Sequence, residues 1–458
     1  MFSRSTACRG AQRAARQAVR PSQRRGLAAP ASGSFQYQAG DANGVKFASR
    51  DYAGATTTLA LVAKAGTRYQ PLPGLTEALQ HFAFRSTDRR STLRIVRESE
   101  LLGAQLSAYH TREALVLEAK FLRDDLPYYV ELFGEVAAST KFQPHVYFEE
   151  VLPMLQFSHK RFLANPLDMA INSVHGLAFH RGLGNPTASS SSHPYTKYLE
   201  ADTVEWYSKV AYAKPNVALI ANGAEHSDLS KWTNEFFGGL PASPIEQVTT
   251  GTEQTKYHGG QERIAHASAN AFVVAFPGSS SPSGKFYKPE IAVLASLLGG
   301  QSSIKWSSGF SLLGNAKASP GTSVKTTSAI YSDAGLLYTA ITGNAEYVAQ
   351  TAKTTVELIQ KIAAGDIPQE LFQKAKAAAK FTELEYGQDT TAGLVYTGSG
   401  LISNNQSYQI DEVAKAIDGV TEEAVKSAAK SLLEQKASVS AVGDLHVLPF
   451  AEDLGLKV

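Results

Sequence analysis

Between Leu75 and Phe84 the chain reads Leu-Thr-Glu-Ala-Leu-Gln-His-Phe-Ala-Phe, with Glu77, Gln80 and His81 at i, i+3 and i+4. A helix opened by the Pro73-Gly74 turn and running over 74–87 projects all three from one face. At the same spacing, H-x-x-E-H presents two imidazoles to zinc and a glutamate as general base. Here the first imidazole is replaced by Glu77 and the base by Gln80; His81 alone keeps the pattern. A carboxamide offers no lone pair that titrates near neutral pH, and losing a positioned base costs about 10²–10⁴-fold in rate. The trio Glu77, Gln80 and His81 therefore predicts a polar helix face, with a Glu77–His81 pair, no catalytic residue and no bound metal. The nearby arginines 85, 89, 90, 94 and 97 read as a solvated or interface face rather than an anion site.

At 458 residues the chain is too long for one ordinary core. No apolar run approaches the ~20 residues of a membrane span, so any membrane association comes through partners. Cys8 is the only cysteine, which excludes a disulfide framework and cysteine-based zinc sites. Residues 1–40 hold seven arginines and no acid or lysine; without those arginines the formal charge of +2 becomes −5. The remainder is mildly acidic, which speaks against a nucleic-acid partner. Residues 1–33, rich in Arg, Ser and Ala, have the character of a mitochondrial transit peptide, cut shortly after Arg24-Arg25 and taking Cys8 with it.

The elements that must hold the trio follow from local pattern. Val45–Ser49 and Thr56–Ala65 read as strands, β-branched and bounded by glycine. Leu93–Leu102 is a helix stopped by Gly103. Gln105–His110 and Ala114–Leu122 form a hairpin around Thr111-Arg112-Glu113, and Asp124 to about Ala138 is a helix with acids at its N-terminus. Residues 148–185 are helical, broken at Asn165-Pro166. His175 and His180, five apart, face different ways and suit helix-end hydrogen bonding rather than a metal. Ser189–Ser192 is a polar loop, Asp202 caps a helix to Tyr212, and Val217–Ala221 is a buried strand. Polar, aperiodic residues 241–263 read as a linker.

Beyond it the pattern restarts. Asn270–Gly278 echoes Thr58–Gly66, Ser328–Thr339 echoes Ser107–Glu118, and Ser438–Asp444 echoes Val217–Gly223. The chain is thus two copies of an α+β unit, residues 34–240 and 264–458, each a mixed β-sheet packed with helices.

Gly74, His81, Phe84, Arg85 and Thr87 frame the degenerate trio, and Gly103, Ala104, Ala108, Tyr109, Thr111 and Glu113 follow about 25 residues on, with His110 inserted. Together these blocks resemble the M16 (pitrilysin-like) metallopeptidases. The resemblance spans residues 35–458 and implies two homologous domains of that family. It also implies that a third zinc ligand, a glutamate, should lie about 75 residues after the motif. The sequence there is Met154-Leu-Gln-Phe-Ser158, and Glu149 and Glu150 come about two turns early. Two kinds of non-catalytic relative then compete: presequence-binding α subunits of the mitochondrial processing peptidase, and core subunits of ubiquinol–cytochrome c reductase, respiratory complex III. The first carries a long glycine-rich loop. Residues 297–313 keep only Gly299-Gly300 of one, and Lys305-Trp306-Ser307 resembles fungal core subunits. A structural role follows, peripheral on the matrix side of the inner membrane. The resemblance implies no cofactor on this chain, haem and iron–sulfur centres lying in other subunits. Its implied partners are a second M16-like chain (core protein 1), other complex III subunits and cleaved presequence peptides.

Overall fold

A computed structural model describes residues 35–188, 198–244, 254–302, 307–316 and 321–458. The transit-peptide reading with Cys8, the Ser189–Ser192 loop, much of the linker and the Lys305-Trp306 pair lie outside the described residues. Strands β1 (Gln38–Ala42), β2 (Val45–Arg50), β3 (Thr56–Ala63), β4 (Gln105–His110), β5 (Leu115–Leu122) and β6 (Val217–Asn222) form one sheet. A second sheet holds β7 (Gly260–Ala265), β8 (Asn270–Pro277), β9 (Ser323–Ile330), β10 (Gly335–Gly343) and β11 (Ser438–Gly443). Their orders are β1-β2-β6-β3-β5-β4 and β7-β11-β8-β10-β9.

Apart from β1, the two orders are the same. In each sheet one pair is parallel, β2 with β6 and β7 with β11, and the other neighbours run antiparallel. Ala63 faces Val217 across one ladder, and Ala275 faces Ser438 across the other. These spacings, 275 − 63 = 212 and 438 − 217 = 221, match the echoes in the sequence. β7 begins at Gly260, so residues 260–263 belong to the second sheet and not to a linker.

Alternation along the strands splits each sheet into two faces. Leu59, Leu61, Leu117, Phe121, Leu219 and their neighbours pack under α1 (Leu75–Phe82), α2 (Thr92–Leu101) and α3 (Leu126–Ser139). The matching face of the second sheet, with Phe272, Val274 and Val439, packs under α8 (Pro289–Leu298), α9 (Ala345–Ala364), α10 (Gln369–Tyr386), α12 (Ile410–Asp418) and α13 (Glu422–Glu434).

The opposite faces carry smaller side chains, and each is covered by a helix from the other half. After α4 (Leu152–Ala164), helix α5 (Pro166–Phe179) lays Ala170, Val174, Ala178 and Phe179 on Ala271, Val273 and Ala275 of the second sheet. In exchange α11 (Leu394–Asn404) sets Leu394 and Leu401 against Ala60, Val62, Ala218 and Ile220 of the first. The approach is close: a Cβ on Gly398 would stand 2.5 Å from a methyl of Val62. Sequence repeats therefore mark two sheets whose front-face cores are each built from buried residues of one half, while α5 and α11 are exchanged, so that each back-face core combines both halves.

Several local expectations need correction. Helix α1 ends at Phe82 and does not run to Thr87, because Phe84 takes φ +59° and packs against Phe133. The helix α6 (Ala201–Ala211) starts one residue before Asp202, so Glu200 occupies the capping position and Asp202 only the first turn. Gly103, at φ +69°, stops α2 as expected: its N–H reaches the Glu100 carbonyl and that of Ala104 reaches Ser99.

Candidate functional site

Helix α1 starts on Gly74 in the left-handed region and is tied down by Thr76, whose hydroxyl donates to the Ala65 carbonyl at 2.9 Å. Leu75, Ala78, Leu79 and Phe82 sink into the first core, so the helix orientation is fixed by burial. Of the remaining residues, Glu77 is itself only 4% exposed, while Gln80 and His81 are half-buried. Burial holds the His81 imidazole below the ordinary histidine range; Glu77 opposes that effect, and His110 and Arg85 add to it.

The partner of Gln80 is His110, the residue inserted into the second sequence block. Its Nδ1 meets the Gln80 carboxamide, and its Nε2 meets the Thr187 carbonyl at 2.8 Å. A carbonyl can only accept, so Nε2 carries the proton. On the other side of the ring, Nδ1 faces the Gln80 carboxamide oxygen. The group at the general-base position is thus a carboxamide tied to a ring from β4. It cannot take a proton from water.

Among the described residues, the segment expected to supply the missing ligand offers none. Met154 and Phe157, in the segment where a third ligand belongs, are exposed on α4. Glu149 and Glu150 lie in a π-helical turn, Tyr147–Val151, and Glu150 is paired with Arg85. Among the described residues, no group of three or more His, Cys, Asp or Glu could hold a metal ion. The residues present do not fit a catalytic zinc: one imidazole, a carboxamide for a base, and no third carboxylate.

The basic run resolves unevenly. Arg94 pairs with Glu98 on the surface, as a solvated face would. Arg90, however, is buried among Glu98, Glu131 and Glu135 of α2 and α3, which the sequence reading did not foresee. Gly299 and Gly300 are packed rather than loose. A Cβ on Gly300 would lie 2.3 Å from the Val324 carbonyl, and Ser311 donates to the Gly300 carbonyl at 3.0 Å.

A second polar cluster sits on the seam between the halves. The Arg68 guanidinium bridges Glu113 at 2.7 Å and Asp333 at 2.7 and 2.8 Å. Glu113 also receives the backbone N–H and hydroxyl of Ser332. His175, one turn inside α5, donates Nδ1–H to the Ile171 carbonyl and accepts from the Tyr331 hydroxyl at 2.8 Å. Burial pushes its pKa down to about 3. His180 does sit at the helix end, but its ring stacks on His258 at 3.8 Å. Spacing alone separated His175 from His180; only the fold gave each its partner.

Residues 46–191 match the family model described as insulinase (peptidase family M16), and residues 199–379 match that of the peptidase M16 inactive domain. The chain is 48% identical to a Neurospora crassa protein named cytochrome b-c1 complex subunit 2, mitochondrial, over all of both chains. It is 35% identical to the Schizosaccharomyces pombe protein of that name, over 90% of this chain and 93% of the relative. A mitochondrial-processing peptidase subunit alpha from Solanum tuberosum is 26% identical over 89% of this chain and 82% of that protein.

Proposed function

The chain belongs to peptidase family M16, and from that premise we propose that it works as a structural member whose peptidase site has been lost. It is a non-catalytic core subunit of mitochondrial respiratory complex III, needed for the assembly and stability of the complex that passes electrons from ubiquinol to cytochrome c. The full-length identity to the Neurospora crassa subunit carries this reading. The Gln80–His110 contact agrees with it, since it puts a locked carboxamide where a peptidase needs its base.

Finer points extend the same reading. The inactive trio Glu77, Gln80 and His81 holds no zinc, and the chain binds no cofactor of its own. Residues 1–33 are removed after import, and the mature chain docks on the matrix side of the inner membrane. No helix among the described residues is long and apolar enough to cross a membrane. Its principal partner is a second M16-like chain, core protein 1, across an obligate interface of over ~2,000 Å². Exposed Leu93, Val96 and Leu101 on α2, Met154 and Phe157 on α4, and Phe381 and Leu384 on α10 support such docking.

The test is genetic and biochemical. Tagged protein recovered from mitochondria in mild detergent should bring complex III subunits with it, and deletion should abolish complex III assembly and quinol oxidation. Gln80→Glu or His81→Ala should leave respiration nearly normal. A deletion strain with full complex III activity and accumulated uncleaved precursors would instead identify a processing-peptidase α subunit.

A further inference from the structure

A cavity of about 740 Å³ opens where the β4–β5 turn, α4, α5 and the second sheet meet. Arg112, Arg161, His175 and Tyr331 are on its wall. Arg112 is only 5% exposed. Its guanidinium donates to the carbonyls of Leu183 (3.0 Å) and Asn185 and to Asn172 Oδ1 (2.6 Å), all of them neutral acceptors. Among the described residues neither Arg112 nor Arg161 forms an ion pair. Arg68 and Arg90 are each matched by at least two acids, whereas Arg50, buried like Arg112 and without an acid, sits over the Phe35 ring and donates to the Gly387 carbonyl.

A buried guanidinium without a counter-charge is costly: desolvation by burial holds Arg112 below its usual range. Tyr331 cannot serve as an anion, since burial pushes its hydroxyl up to about 12 and its proton points at His175. The one acid on the wall, Asp168, is engaged by Asn165 Nδ2 at 2.7 Å. With His175 neutral, two guanidiniums against one carboxylate leave the cavity with a net positive charge and room for a small ligand.

We propose that this cavity binds an oxyanion, a phosphate or carboxylate group, held by Arg112 and Arg161. The planar fork of a guanidinium matches two oxygens of such a group and gives charge-assisted hydrogen bonds. The Tyr331–His175–Ile171 chain of hydrogen bonds would fix the wall beside it, and with it the packing of α5 on the second sheet. The site adjoins the Glu77–Gln80–His81 face through His110 and Thr187, which are also on its wall, and it is independent of the role in complex III.

The test uses the full chain, titrated calorimetrically with inorganic phosphate and, separately, with succinate, against sodium chloride at matched ionic strength. Saturable binding and a raised Tm are expected with at least one oxyanion. Binding by phosphate alone assigns the site to phosphate groups, and by succinate alone to carboxylates. Arg161→Gln should weaken binding about ten- to hundredfold, while Lys160→Gln, on the neighbouring position outside the cavity wall, should leave it unchanged. Arg112 also braces the 183–185 carbonyls, so Arg112→Met tests folding as much as binding, and the decision rests on Arg161. Oxyanions that do no more than chloride, or equal affinity in the Arg161 and Lys160 variants, would overturn the proposal.

Discussion

The two halves share strand order and direction but differ in what the helix after the corresponding strands β3 and β8 carries. In the first half α1 reads Leu-Thr-Glu-Ala-Leu-Gln-His-Phe, with a buried glutamate and a carboxamide facing β4. In the second α8 reads Pro-Glu-Ile-Ala-Val-Leu-Ala-Ser-Leu-Leu, with Ile291, Val293, Leu294, Leu297 and Leu298 buried. The sheet depends on alternation and on small back-face residues, and both halves keep these. The outer helix needs only one apolar stripe, so the rest of its surface is free to change. Loss of catalytic chemistry on α1 is therefore cheap for the fold, and the scaffold survives it.

The comparison can be broken most forcefully at the exchanged helices. Val174→Asp puts an unpaired charge between α5 and the second sheet and should cost more than about 4 kcal/mol. Because each half covers the other, amide exchange should accelerate in β3 as well as β8. Protection lost in β8 alone would mean that the halves fold independently.

A smaller effect, dependent on pH, is expected at His175, which sits on a first-half helix and bonds a second-half tyrosine. Its folded pKa of about 3 lies below the unfolded value, so its contribution is present above about pH 6.5 and drains away as pH falls toward 3. By pH 4 that amounts to about 3 kcal/mol. Urea unfolding of His175→Gln between pH 7.5 and 4 should show a flatter acid limb than the parent; parallel curves would exclude this histidine.

Arg68→Ala removes the bridge between Glu113 and Asp333 and should cost about 2–3 kcal/mol, reduced from the fully buried case by its partial exposure. Arg123→Ala, which breaks the surface pair with Asp51, should cost under about 1 kcal/mol. Chemical denaturation of both variants gives the contrast directly. A comparably small effect is expected of Gln80→Leu, which gives α1 the apolar character of α8 and should cost about 1 kcal/mol, the worth of the contact with His110. A loss beyond about 3 kcal/mol would show that the polar face is structural after all.

Much of this molecule is written in local pattern. Val217–Asn222 is a run of buried strand residues, Ser91 and Gly103 bracket α2, and the hairpin around Thr111 follows from its alternation. The replacement of a base by Gln80 is equally plain, because side-chain identity alone decides whether a group can titrate. What the residues could not convey was where α5 and α11 go. Stretches such as Ala170–Val174–Ala178 or Leu394–Leu401 declare an apolar face but not which sheet it meets, since burial is non-directional and two sheets of similar back-face composition compete for it. The same holds for Gln80 with His110, Arg68 with Asp333 and His175 with Tyr331, pairs 30, 265 and 156 residues apart. Hydrogen bonds and ion pairs are short-ranged in space, and only the folded chain, by crossing its helices between the halves, brings those groups within reach.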